Sequence, residues 1–225
     1  MCGRFVRKST LKEIAEAFDL DVSGLDFEFA PSYNIAPGQP VAAAVFDGRR
    51  TLKAFKWGLV PFWAKDEKIG YKLINARAET LSEKPGFKQA FAKRRCLVVA
   101  DGFYEWRQEG NSKTPFFVQL KSAKPFAFAG LYEKWKSPAG KEIESCAIIT
   151  TTPNPLMKPI HDRMPAILDR KHCDQWLDPS ANDSQKLSAL LKPYDPDKME
   201  AYPVSQLVNS PKNDSPECIK PMPQP

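Results

Sequence analysis

The sequence predicts a single α+β domain dominated by antiparallel or mixed, twisted β-sheet, with short helices at its periphery. Apolar runs rich in β-branched and aromatic residues recur from residue 41 to 152, the mark of strands. Helical periodicity is confined to short stretches near the ends and between those runs. The 21 prolines interrupt the chain often without marking one interdomain linker.

The elements follow in order. Thr10 and Glu13 form a capping box, and Leu11, Ile14 and Phe18 recur at helical spacing, so 10–19 is expected to be a helix. VAAAVF (41–46) and RRTLKAFKW (49–57) flank Asp47-Gly48, the signature of a two-residue type I′ hairpin. Residues 86–93 read as one or two helical turns. RCLVVADGFYEW (95–106), PFFVQL (115–120), PFAFAGLYEKW (125–135) and ESCAIITT (145–152) supply four further strands. Helical periodicity returns at 169–177 and 184–192, and MEAYPVS (199–205) reads as a final strand. PECIKPMPQP (216–225) is expected to fray, leaving 1–215 as the domain.

Composition excludes several classes. No run approaches the ~18 apolar residues of a membrane span, and no apolar stretch follows Met1-Cys2-Gly3-Arg4, so an intracellular protein is expected. Five cysteines without a C-x-x-C pair give no disulfide framework. With two histidines and no HExxH, no metal is expected; without a P-loop or GxGxxG, neither is a nucleotide cofactor. The net charge of +6 is spread along the chain and is compatible with an anionic partner such as nucleic acid.

Four segments carry possible chemistry. Trimming of Met1 would expose Cys2, whose α-amine has a reference pKa of ~7.7–8.0 and is partly neutral near pH 7. That amine forms a Schiff base with an aldehyde, and the adjacent thiol closes a thiazolidine ring. Taken alone, Cys2 reads as an inert small residue behind the initiator. In LINARAET (73–80), Asn75 and Arg77 face the same way if extended and suit an oxyanion or phosphate; an Arg77–Glu79 salt bridge is the plain alternative. In ADGFYEW (100–106), Glu105 lies between Tyr104 and Trp106, which would desolvate it and raise its pKa; a solvent-facing Glu is the alternative. In PIHDRMPAIL (159–168), two prolines bracket His161 in an ordered loop, placing an imidazole where it could move protons near neutrality.

Together these segments resemble the SOS-response-associated peptidase (SRAP) family. The resemblance rests on MCGRF, YNIAPG (33–38), KWGLVPFW (56–63), INARAET, ADGFYEW, the strand reaching Thr150, IHDRMP (160–165) and PVS (203–205), in the family's order across nearly the whole chain. It implies an SRAP-like fold and a protein that binds single-stranded DNA and crosslinks to abasic sites. Cys2 is implied as nucleophile, with Asn75, Glu105 and His161 completing the site. Arg4, Arg77 and Arg163 are implied as phosphate contacts, and Asn34 and Trp106 as residues lining the DNA path. It further implies peptidase release of Met1, and β-elimination through the imine would add a lyase activity. A monomer in the cytoplasm or nucleoid, or in the nucleus of a eukaryote, is expected; protein partners in replication or repair are not readable. Two other readings stand beside it: an N-terminal-nucleophile amidohydrolase, and a non-catalytic single-strand-binding module.

Overall fold

A computed structural model describes residues 2–222. Its strands are β1 (Arg4–Arg7), β2 (Ser32–Ile35), β3 (Pro40–Phe46), β4 (Arg50–Trp57), β5 (Asn75–Arg77), β6 (Arg95–Ala100), β7 (Gly102–Glu109), β8 (Ser112–Leu120), β9 (Phe126–Lys136), β10 (Glu142–Thr151), β11 (Met164–Pro165), β12 (Ile167–Leu168) and β13 (Met199–Pro203). Four helices decorate them: α1 (Leu11–Phe18), α2 (Lys88–Lys93), α3 (Arg170–Leu177) and α4 (Ser184–Ser188). The α+β class is as expected.

Strands β10, β4, β3, β6 and β9 are neighbours in that order, and β9 pairs with β10 to close the sheet into a barrel-like ring. A second, five-stranded sheet runs β13-β8-β7-β1-β2. Alternation gives each ring strand two buried faces. Ala44, Leu97, Ala129 and Ile149 join helix residues Ile14, Phe91 and Trp176 in one core. Val45, Val98, Phe128 and Ile148 meet Phe5, Phe103 and Val118 of the second sheet in another. The far face of that sheet, through Tyr104 and Phe117, is covered by Val204, Val208 and Cys218.

Local expectations hold where their causes are local. Thr10 and Glu13 form the capping box of α1, and Asp19 ends it in the left-handed conformation. The hairpin differs: pairing of Phe46 with Arg50 leaves three loop residues, not two. Only Gly48 among them has positive φ, at 93°, so the type I′ turn, which needs two such residues, does not form. Asp47 instead accepts from Lys53 Nζ at 2.7 Å.

The run 95–106 is two strands in different sheets, divided at Asp101. This buried carboxylate accepts from the backbone N–H groups of Lys8 (2.6 Å) and Ser9 (2.8 Å) and from the Ser9 hydroxyl. It thereby ties the end of β1 to the start of β7. Gly102 follows because a Cβ there would lie 2.3 Å from the Phe117 ring. Asp101→Ala would strand those donors and is expected to cost ~2–4 kcal/mol, read as a lowered urea midpoint; an unchanged midpoint would deny the tie its structural weight.

The fraying expected for 216–225 is corrected over most of its length. Pro216–Ile219 is a 3-10 turn with Cys218 fully buried. Pro221 bridges Val204, and the Met222 N–H donates to Pro203 O at 2.9 Å. Residues 223–225 lie outside the described residues. Among the described residues, no helix is long and apolar enough to cross a membrane.

Candidate active site

Three strand pairings assemble the site. β1 runs antiparallel to β7 with Arg4 opposite Tyr104, which carries Cys2 back alongside Glu105. β5 continues from β4 along β10, both parallel to it, with Asn75 opposite Ile148 and Arg77 opposite Thr150. β11 takes the other side of Thr150 through Pro165. The INARAET and IHDRMP segments, far apart in sequence, therefore flank one residue of β10.

At their convergence, Asn75 Nδ2 donates to Cys2 O at 2.8 Å. Asn75 Oδ1 is buried and has no hydrogen-bond partner among the described residues. Cys2 is fully buried, within the core between the sheets. Burial, and secondarily the charge of Glu105, push its thiol far above the usual range. Glu105 is 2% exposed, and burial pushes its carboxyl up to about 7. His161 Nε2 lies 3.9 Å from Glu105 Oε2, and burial lowers the imidazole below its ordinary value. A weakly acidic thiol beside a carboxyl poised near neutrality favours proton exchange through Glu105 over thiolate chemistry.

Glu105, Trp106, Lys113, His161 and Asn209 line an open cleft of about 500 Å³. Trp106 Nε1 donates to Asn209 Oδ1 at 2.8 Å, fixing the indole on the cleft wall. Among the described residues, no group of three His, Cys, Asp or Glu side chains could hold a metal ion.

Of the expected DNA-contacting arginines, Arg77 is exposed. Arg163 is instead held by a bidentate pair with Glu79, at 2.7 and 2.9 Å, and by Thr150 O at 2.6 Å. Glu79 thus bridges to Arg163 and not, as the local alternative had it, to Arg77. Arg4 is turned to the protein, donating to Asn34 Oδ1 (2.8 Å), Val208 O (2.7 Å) and Asn209 O (3.2 Å). Asn34 is a correction: it is 1% exposed and does not line a DNA path. Its amide donates to Val208 O, Ser210 O and Asn213 O. Arg4 and Asn34 therefore clamp the turn that carries Asn209 to Trp106.

Sequence reasoning missed Lys113 and Asn209 and gave Glu79 the wrong partner; the PVS match stopped at 205, just short of Asn209. It also left Phe62 and Trp63 unassigned within KWGLVPFW, where they stand 51% and 49% exposed. Their loop is pinned at its base: Gly58 has φ +129°, and a Cβ on it would lie 2.7 Å from Gly70 O. Lys65, Lys68 and Lys72 are exposed around it, so aromatic faces and positive charge are presented together.

The SOS response associated peptidase (SRAP) family model matches residues 1–211. The chain is 53% identical to abasic site processing protein YoqW of Bacillus subtilis, covering 98% of this chain and 99% of that one. It is 34% identical to abasic site processing protein HMCES of Xenopus tropicalis, over 85% of this chain and 66% of that one. A crystal structure of a protein from Bacteroides thetaiotaomicron superposes with a TM-score of 0.90 at 30% identity, covering 98% of this chain and 100% of that one. With a family match spanning both sheets and every segment that meets at Glu105, this chain belongs to the SRAP family.

Proposed function

We propose that this protein processes abasic sites by capturing them covalently in single-stranded DNA, through a thiazolidine formed by Cys2 after release of Met1. The observation that carries the reading is the meeting of four chemically matched groups from four distant segments. Cys2 is held by Asn75 at 2.8 Å, and a nearly neutral-range Glu105 stands 3.9 Å from His161. The names of the relatives, abasic site processing proteins at 53% and 52% identity, support the same substrate.

The chemistry balances without a cofactor. His161 protonates the ring oxygen as its bond to the anomeric carbon breaks, and the anomeric hydroxyl gives its proton to solvent, so that the deoxyribose opens to its aldehyde. The Cys2 amine adds to the aldehyde carbon, its excess proton passing to Glu105. Glu105 returns a proton to the carbinolamine hydroxyl, which leaves as water to give the imine. The thiol then adds across the imine, sulfur to carbon and proton to nitrogen, closing a five-membered ring. Aldehyde plus aminothiol become thiazolidine plus one water. Asn75 Nδ2 holds the Cys2 carbonyl, and Oδ1 is an acceptor available to the amine N–H or carbinolamine O–H. The family's peptidase designation fits release of Met1 at this same site.

DNA would reach the site over Arg77, Lys113 and the lysines around Trp63, with Phe62, Trp63 and Trp106 offering stacking faces. Arg77→Ala is expected to weaken single-strand binding and lower the log–log salt slope by ~0.7. Equal affinity and slope would remove Arg77 from the binding face. The reading itself is tested on a denaturing gel with protein verified by mass to begin at Cys2. An oligonucleotide bearing an abasic site should give a heat-stable shifted band, and the intact oligonucleotide none. Absence of the band in both lanes would overturn covalent capture.

A further inference from the structure

The two sides of the His161 Nδ1 atom make opposite demands. The backbone N–H of Arg163 points at Nδ1 from 3.0 Å and requires a lone pair there. Asp162 Oδ1 lies 2.8 Å from the same atom and requires a proton there. One nitrogen cannot satisfy both. An ionised carboxylate this close attracts an N–H and repels a lone pair, so it outweighs the neutral backbone donor as a claimant on Nδ1. The Arg163 N–H becomes the stronger claimant only when the charge of Asp162 is lost.

We infer that Asp162 is a positioning residue that holds a proton on Nδ1 of His161, so that Nε2, the nitrogen facing Glu105, is the one that gives and takes the working proton. This rests on the reading above, in which His161 exchanges protons during capture. When the imidazolium gives its Nε2 proton to the sugar oxygen, the ring is left neutral and keeps its Nδ1 proton against Asp162. Nε2 then regains a proton from solvent in the open cleft. Asp162 is 87% exposed, an unusual setting for an orienting carboxylate, and one in which its substitution leaves the core untouched.

The charged groups around the ring divide by sign. Glu105 faces it from β7, Lys113 from β8, and Asp162 from its own turn. Burial, the amino-terminal amine and, more weakly, Lys113 disfavour the imidazolium, whereas Asp162 favours it. Asp162→Asn and Lys113→Ala therefore push the titration in opposite directions, but only the first should change which nitrogen carries the proton.

The experiment is a ¹⁵N NMR titration of the imidazole nitrogens in the full chain, whose two histidines give few signals to assign. In wild type the neutral His161 ring should be the Nδ1–H tautomer. In Asp162→Asn it should become Nε2–H, with the midpoint lower by about one pH unit. Lys113→Ala should keep the wild-type tautomer and raise the midpoint. The pH profile of single-turnover adduct formation in Asp162→Asn should move down by the same interval as the NMR midpoint. An unchanged tautomer in Asp162→Asn, with or without a shifted midpoint, would overturn the inference and leave only a field effect. Because the titration needs no DNA, a protein that forms no adduct would defeat the capture reading without touching the tautomer result.

Discussion

A protein carrying additional residues ahead of Cys2 is expected to form no heat-stable adduct with abasic DNA, while its affinity for intact single strands stays close to that of the mature form. Every side chain of the site is retained in such a protein; what changes is one nitrogen. As an α-amine it has a reference pKa of ~7.7–8.0 and a reactive lone pair near neutrality. As an amide it is neither basic nor nucleophilic. The thiol does not substitute for it, because Cys2 is fully buried and its thiolate is strongly disfavoured by that burial and by Glu105. A buried thiol is a poor first nucleophile but a competent second one, once an imine on the same residue brings the carbon within ring-closing distance. Cys2→Ala separates the two steps. It keeps the amine, so borohydride should trap an imine adduct, whereas the unreduced sample should lose its band on heating. Full crosslinking by an intact N-terminally extended protein would move the chemistry to the thiol or to a lysine.

The site was legible in the sequence to the extent that its members carry their chemistry in short motifs. Asn75, Glu105 and His161 each sit in a segment whose neighbours announce their surroundings: a tryptophan and a tyrosine around Glu105, two prolines around the His161 turn. Glu105 is buried, at 2% exposed, but Tyr104 packs on the opposite face of β7, so the burial comes from the packing of the two sheets and not from both of its sequence neighbours. Asn34 shows where such reading ends. Nothing in YNIAPG indicates that its amide will hold carbonyls 174 to 179 residues away, and a polar residue in a recurring motif is readily taken for a ligand contact. Glu79 fails in the same way. Its local partner by spacing is Arg77, yet the guanidinium that reaches it belongs to Arg163, 84 residues on.

The fold divides along the same line. Helix α1 was readable because its capping box is closed by residues three apart. Ring strands β3, β6, β9 and β10 were readable because burial on both faces requires near-continuous apolar runs, whereas β4, broken by Lys53 and Lys56, was readable from its place just beyond the Asp47-Gly48 turn. β1 and β2, each four residues long, present too little pattern to separate from loop. The break between β6 and β7 depends on Asp101 accepting from Lys8 and Ser9, more than 90 residues earlier. The same acidic residue, read locally, looks like one polar position within a single long strand.

Glu105→Gln should slow adduct formation by roughly 10²–10⁴ at saturating protein, the usual cost of losing general acid–base help, with a much smaller effect on DNA binding. It should also stabilise the fold at alkaline pH, and that pairing distinguishes a functional carboxyl from a structural one. The folded-state pKa of about 7 lies above the 4.5 of an ordinary glutamate. Between those values the native protein holds a proton that the unfolded chain has released, so stability falls as pH rises through this window. Above pH 7 the native state bears a buried carboxylate at a cost of about 3 kcal/mol, taking 1.36 kcal/mol per pKa unit. Glutamine preserves shape and hydrogen-bonding capacity without that charge. The variant should therefore match wild type near pH 4, exceed it increasingly up to pH 7, and hold the difference at pH 8. Urea unfolding across this range, set beside single-turnover rates, measures both halves. A variant that is as fast as wild type, or less stable than it at pH 8, would mean that Glu105 is held ionised by the fold and is not the proton carrier of the reaction.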